Sequence, residues 1–368
     1  MRSWRSLLLC TVVLLGSRAF GQVPVPFVTA EDRFVVFANR RFEKMEPRPP
    51  QAVYAMNDQL AYRDHEGRLK LFVPEGRRLV VLDAGPVAEV HATRNRIAWR
   101  TRDTLKTVRD GRTVVLAGHV GRFTVSDSMV VYHDTLAGQL FALWRGRSTV
   151  LADIEGASLR PQWTQGSNAA LFQSRATREL FLFQYGSLRS LCDSADVGIV
   201  AAGGDLVGYW DDQADRFMAK AHGETHFLSD LRPASVQAGE GMLAFVDGNG
   251  RLKCFAEGAV RTVLETAPSG WWVKDSLLLY LDEGLFKLFR PEGSITVERY
   301  VPERWQVDGG LLVYLDINRE LKGVRSGDRL RFGSEAAIPT FDLFGDAVIY
   351  PSPTGLMTVI RNGRSYSF

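Results

Sequence analysis

Cysteine is scarce: the 368 residues hold three, too few for the disulfide framework of a small secreted scaffold. Cys10 is preceded by Leu9, not by the small residue that lipid attachment requires. Cys192 and Cys254 fall in different, non-neighbouring repeats, so they are expected as two separate, semi-buried thiols, each packed as a small hydrophobe. Past the first twenty residues no apolar run is long enough to span a bilayer. Convincing helical periodicity is absent, which excludes bundles and α/β folds. Also missing are a Gly-x-Ser-x-Gly elbow, a phosphate loop and a His-Glu-x-x-His pair, so nothing points firmly to catalysis.

Excess charge is lacking as well. Arg2 and Arg5 precede the apolar run Leu7 to Leu15, and Ala19-Phe20-Gly21 resembles a small-x-small cleavage site. Residues 1–21 therefore read as a secretory signal peptide, too short for an anchor, and the mature chain as exported to a periplasm or beyond. That leader carries three arginines and no acid; 45 basic residues less these three leaves 42, against 42 acidic. A neutral mature chain has no basic footprint for nucleic acid.

What is present is a repeat. Tyr62, Trp99, Tyr132, Phe172, Tyr209, Phe245, Tyr280, Tyr314 and Tyr350 each end an aliphatic-x-aromatic stretch, at spacings from 33 (Trp99 to Tyr132) to 40 (Tyr132 to Phe172). Four residues earlier stands a turn-former such as Asp58, Asn95 or Gly241, which makes the first two strands a tight hairpin. Nine residues earlier the position is always apolar, as in Val53, Val90 and Trp271. Two residues after the aromatic comes Asp, Ser or Thr, read as a turn cap. Each unit offers four strand-like runs, in the first Gln51 to Met56, Leu60 to Arg63, Arg68 to Val73 and Arg78 to Asp83.

Antiparallel four-stranded units repeated at this period bury both faces only by stacking radially. The expectation is an all-β propeller of about nine full units from residue 51, with a lead-in at 22–27 and a partial unit at 28–46. In that partial unit Val28 to Ala30 is taken as the first strand and Phe37 as the aromatic. Two smaller rings divided near residue 195 are the alternative. The stretch Met56 to Asp64 followed by Gly67 to Phe72 resembles the repeat of TolB-type, WD40-like bacterial propellers. That resemblance implies an exported scaffold that binds other proteins.

Site candidates come from the polar column one residue into the first strand, expected to look toward the channel: Tyr54, His91, Gln237, Trp272, Gln306 and Asp342. Trp272 and Trp210 are candidates for an exposed aromatic platform, with Asp211 beside the latter; such surfaces suit a protein anchor or a sugar. Asp211, Asp212 and Asp215 share one loop, read as a solvated turn with calcium as the alternative. His222, Glu224 and His226 are read as a hairpin tip, with zinc as theirs. The functional expectation is a non-catalytic scaffold binding a protein at the cell envelope; the rival is a carbohydrate-binding or carbohydrate-active protein with its site over the channel.

Overall fold

The structure, a computed structural model, describes residues 22–109, 111–154, 162–174, 176–333, 335 and 337–368. The expected leader, residues 1–21, lies outside them. Ten antiparallel sheets follow one another along the chain, nine four-stranded and the first three-stranded. In each full blade the strands lie in sequence order, here a (innermost) to d. Blade 2 is Ala52–Ala55, Leu60–Arg63, Leu69–Val73 and Arg78–Asp83; blade 10 is Asp342–Phe344, Ala347–Pro351, Met357–Arg361 and Arg364–Ser367. No helix among the described residues is long and apolar enough to cross a membrane.

Period-two alternation gives every strand two faces, and the radial arrangement sets each face against a neighbouring blade. Ten apolar clusters result, one for each successive pair of blades. The aromatic of strand b always joins the cluster with the preceding blade: Trp99 packs with Leu71 and Leu82 of blade 2, Tyr280 with Cys254 of blade 7, Tyr350 with Leu321 of blade 9. Each such ring contributes roughly 1.5–3 kcal/mol by burial.

The cluster Leu180, Leu182, Val207 and Tyr209 joins blades 5 and 6. Continuous packing there overturns the alternative of two rings divided near residue 195. The tenth cluster brings Val25, Phe27 and Phe37 of blade 1 against Ala347, Ile349 and Val359 of blade 10. The ring is thus single, and it closes by side-chain packing between the two ends of the chain.

Blade 1 corrects the sequence reading. Its strands are Val25–Val28, Phe34–Ala38 and Arg41–Glu46. The turn after Val28 repeats the b–c turn of blade 2: Thr29 N donates to Arg33 O (2.9 Å), as Asp64 N does to Arg68 O (3.0 Å). Phe27 faces Val35 as Tyr62 faces Lys70. The first sheet is therefore b–c–d, the aromatic is Phe27 and not Phe37, and strand a is the one missing among the described residues. A lead-in at 22–27 does not survive, because Val25–Phe27 is sheet.

The alternation of bonded pairs shows which groups that inner edge presents. Thr29 and Arg33 are bonded, so Phe27 and Val25 also bond toward strand c, and Pro26 and Pro24 face the inner edge, which no described strand pairs. Neither carries an N–H, and both are buried. Prolines at alternate positions close an edge to further pairing.

Candidate functional site

The polar column does not look into the channel. His91 packs at a tilt against Phe123 of the next blade, ring centroids 4.6 Å apart, and its Nε2 lies 2.8 Å from Glu89 Oε1. Gln237 Nε2 donates to Trp271 O (3.3 Å), while Val273 N donates to Gln237 Oε1 (2.9 Å). Gln306 does the same two interfaces later, to Phe341 O (3.3 Å) and from Leu343 N (2.8 Å). Trp272 meets Trp305 edge to face at 5.4 Å. Tyr54 packs at the margin of the blade 2–blade 3 cluster, and burial raises its hydroxyl pKa. Both faces of strand a meet neighbouring blades; what it turns to the axis is its outer backbone edge.

The axis is instead lined by the a–b turns, which are bonded one to the next. Asn57 N donates to Arg94 O (2.9 Å), Asn168 N to Gly204 O (3.0 Å) and Glu240 N to Asp275 O (2.7 Å). Asn95 N donates to Asp127 Oδ1 (3.3 Å), Gly309 N to Asp275 Oδ2 (2.8 Å) and Gly345 N to Asp308 Oδ2 (2.6 Å). Around blades 5 to 8 the approach is closest: a Cβ on Gly203 would fall 2.4 Å from Gly239 O, and one on Gly239 2.1 Å from Asp275 O. Only glycine permits backbones to meet so tightly.

On this face the turns of blades 3 to 7 frame a cavity of about 440 Å³. Its charged lining is Asp127, Asp205, Glu240 and Glu257, with His222 beside them, and no lysine or arginine lines it among the described residues. Asn95, Ser128, Ser167 and Asn168 add hydrogen-bonding groups. A contiguous hollow of about 380 Å³ runs inward past Asp127 and Glu240 to Arg94 and Asp275. Chemically the basin attracts ammonium or guanidinium groups and offers them amide and hydroxyl partners.

The Asp, Ser and Thr column lies on the opposite face, capping turns. Asp64 Oδ1 accepts from Glu66 N and Arg68 N at 3.0 Å each, and Asp211 Oδ1 from Gln213 N (3.0 Å) and Ala214 N (3.1 Å). Asp212 pairs with Arg178 at 2.7 Å and Asp215 is exposed. The carboxylates of the calcium alternative thus already serve protein groups in two of three cases. His226 packs at a tilt against Phe255, ring centroids 5.0 Å apart, and His222 sits in the hairpin turn. Among the described residues no three His, Cys, Asp or Glu side chains converge on a metal-sized site.

Trp210 is 2% exposed and belongs to the blade 6–blade 7 cluster, so it forms no exposed platform; its strand position points it at Leu243 and Phe255. Asp342 is exposed and bonds Arg304 Nη2 at 2.9 Å. Of the eight candidates only Gln306 and Asp342 hydrogen-bond one another (3.2 Å) among the described residues. Both cysteines are free and buried, in separate clusters.

One functional element escaped the column reading. The residue facing the aromatic across strands b and c is lysine in five blades: Lys70, Lys106, Lys253, Lys287 and Lys322. Four of these reach the Asp two residues after the aromatic, as Lys70 does Asp64 (3.0 Å) and Lys253 Asp247 (2.9 Å). Lys106 instead reaches Asp83 of the preceding blade at 2.7 Å. Continuing the count seven or eight residues past the aromatic finds them all. The acidic basin left no such signal, since its residues come from five blades.

No curated protein matches the chain. Among solved structures, the computationally designed Ika8 protein is similar at 13% identity, over 75% of this chain and 96% of that one, with a TM-score of 0.36. PorZ, a surface component of the type-IX secretion system of Porphyromonas gingivalis, is similar at 12% identity over 76% of this chain and 51% of that one, TM-score 0.31. Prp20p from Saccharomyces cerevisiae is similar at 10% identity over 55% and 71%, TM-score 0.31. The sequence matches the family described as a 10-bladed beta propeller domain over residues 19–366, and with ten sheets closed into one ring the chain belongs to that family.

Proposed function

We propose that the protein is an exported, non-catalytic scaffold whose face of a–b turns docks a cationic segment of another protein at the cell envelope. The observation that carries this reading is the basin of about 440 Å³ in which four carboxylates and several amides and hydroxyls converge, with no lysine or arginine in the lining among the described residues. Export is supported by the apolar leader with its two preceding arginines, and an envelope setting by the resemblance to TolB-type propellers. The eight side chains first singled out support the scaffold rather than the docking, because most are engaged between blades.

The test is affinity capture from an envelope fraction with the mature chain, beside a variant carrying Asp127→Asn and Glu240→Gln. A partner held at low salt, released as salt rises and lost with the variant is the expected result. Capture that ignores both substitutions and salt overturns the basin as the docking site. Retention of a neutral glycan in place of any protein supports the carbohydrate reading.

A further inference from the structure

Where the ring closes, a second cavity differs in charge from the acidic basin. It encloses about 210 Å³ and is lined by Gln22, Phe37, Arg40, Arg361, Asn362, Arg364 and Tyr366. Phe37 and Tyr366 lie 4.8 Å apart and form an aromatic wall, and the Arg361 guanidinium sits 5.9 Å from the Phe37 ring.

The turn beside the cavity differs from those of the other blades. In blades 4, 5 and 9 the c–d turn lies directly against the blade before it, and in others it stands free. A Cβ on Gly146 would fall 2.9 Å from Arg109, and one on Gly186 2.9 Å from Trp144. In blade 1 the corresponding turn residue is Arg40, with φ 62°. Its side chain lines the cavity, and a non-glycine residue in the left-handed region costs roughly 1 kcal/mol or more.

The charges are unbalanced. Arg361 is 4% exposed, and burial pushes its pKa down. It donates to Gln22 Oε1 (3.4 Å) and Val23 O and faces one carboxylate, Asp346, at 3.1 Å. Arg364 is the direct cross-strand neighbour of Arg361, a like-charge pairing that opposes the hairpin. Neither Arg364 nor Arg40 enters a hydrogen bond or ion pair among the described residues. Three guanidiniums therefore surround a small, partly aromatic hollow against a single acid.

We propose that this pocket binds an oxyanion group, a carboxylate or a phosphate, carried by a ligand whose remaining atoms lie against Tyr366. Planar guanidinium donors match both groups in charge and geometry. The volume equals about seven waters at liquid density, enough for the anionic group and a few further heavy atoms. This site is independent of the acidic basin and of the partner assigned to it.

The experiment is a titration of the mature chain, at constant ionic strength, with inorganic phosphate, acetate and glucuronate, with neutral glucose as control. Binding is followed by NMR at Tyr366 and the arginine side chains. Saturable binding of at least one anion is expected, weakened about tenfold or more in a chain carrying Arg40→Ala and Arg364→Ala. Both residues are exposed, and melting of the ligand-free variant checks that it folds. Saturation by phosphate alone assigns the phosphate group; saturation by acetate and glucuronate assigns the carboxylate. No saturable binding by any of the three, or unaltered binding by the folded variant, overturns the proposal.

Discussion

Arg94, in the a–b turn of blade 3, reaches across the axis to Asp275, in that of blade 8, with its Nη2 2.8 Å from Asp275 Oδ2. The same nitrogen also bonds Asp308 of blade 9. All three groups are about one-third exposed or less, so the bridge is a half-shielded strut between opposite sides of the ring. Both acids also accept backbone amides of the turn belt, from Gly309 and Gly345.

Removing the strut leaves two carboxylates of neighbouring blades, Asp275 and Asp308, without the guanidinium they share. Arg94→Ala should lower stability by about 1–3 kcal/mol, from the loss of charge-assisted hydrogen bonds. Arg94→Lys should recover only part, since one ammonium reaches two acids less well than a guanidinium fork. Equilibrium urea unfolding checks this. Adding Asp275→Asn to Arg94→Ala should cost less than the two single changes summed, and strict additivity would mean that the contact is idle.

The capped acids predict the acid limb of stability. Burial alone would raise the Asp64 pKa, but bonds from Lys70 and Arg68 outweigh it and hold the carboxyl at about 2. Burial likewise opposes, and bonds from Lys106, Trp99 and Thr101 overcome, in Asp83, also at about 2. Asp247 and Asp316 are lowered by their lysines against the same opposing burial. A carboxyl depressed in the folded state contributes fully above its unfolded value of about 3.9, and the contribution disappears as pH falls through the folded value. Stability should therefore drop between about pH 4 and about pH 2. Asp64→Asn with Asp247→Asn should flatten that drop while lowering stability at neutral pH, as followed by urea midpoints across the range.

The blade count was open to reading because aromatic, aliphatic and turn-former columns each sample one face of one strand. Two things were hidden. Period two separates a strand's faces but does not say what each meets, and in a propeller both meet other blades, which is why Gln237 and Gln306 bridge blades instead of facing the channel. The phase of blade 1 was hidden by Val25-Pro26-Phe27-Val28 and Phe34 to Ala38, two apolar runs either of which supplies an aromatic at the right place. Arg94 and Asp275, 181 residues apart, share no local pattern at all.

The glycines of the belt separate close approach from backbone freedom. Gly239 has no left-handed φ, yet its added Cβ would collide with Asp275 O. Gly239→Ala should therefore destabilise by about 2 kcal/mol or more, because backbone cannot step aside as a side chain can. Gly118, with nothing within 4 Å and no left-handed φ, is the control: Gly118→Ala should be neutral or stabilising by about 0.4–1 kcal/mol. Thermal melts of the two variants side by side test the belt, and equal effects would remove the case for it.

Burial governs the two thiols in the described part of the chain. It pushes Cys192 up to about 12, with Asp211 adding to the shift, and Cys254 up to about 12 as well. A thiol that far above neutrality holds almost no thiolate at pH 7 to 8, and the thiolate is the reacting species. Neither should react with a coloured disulfide reagent in the folded protein. Both should react together once denaturant opens the ring, because Cys192 packs between blades 5 and 6 and Cys254 between blades 7 and 8. If Cys192 reacted well before Cys254 as urea rises, blades 5 and 6 would part before the rest of the ring, and unfolding would not be one cooperative step.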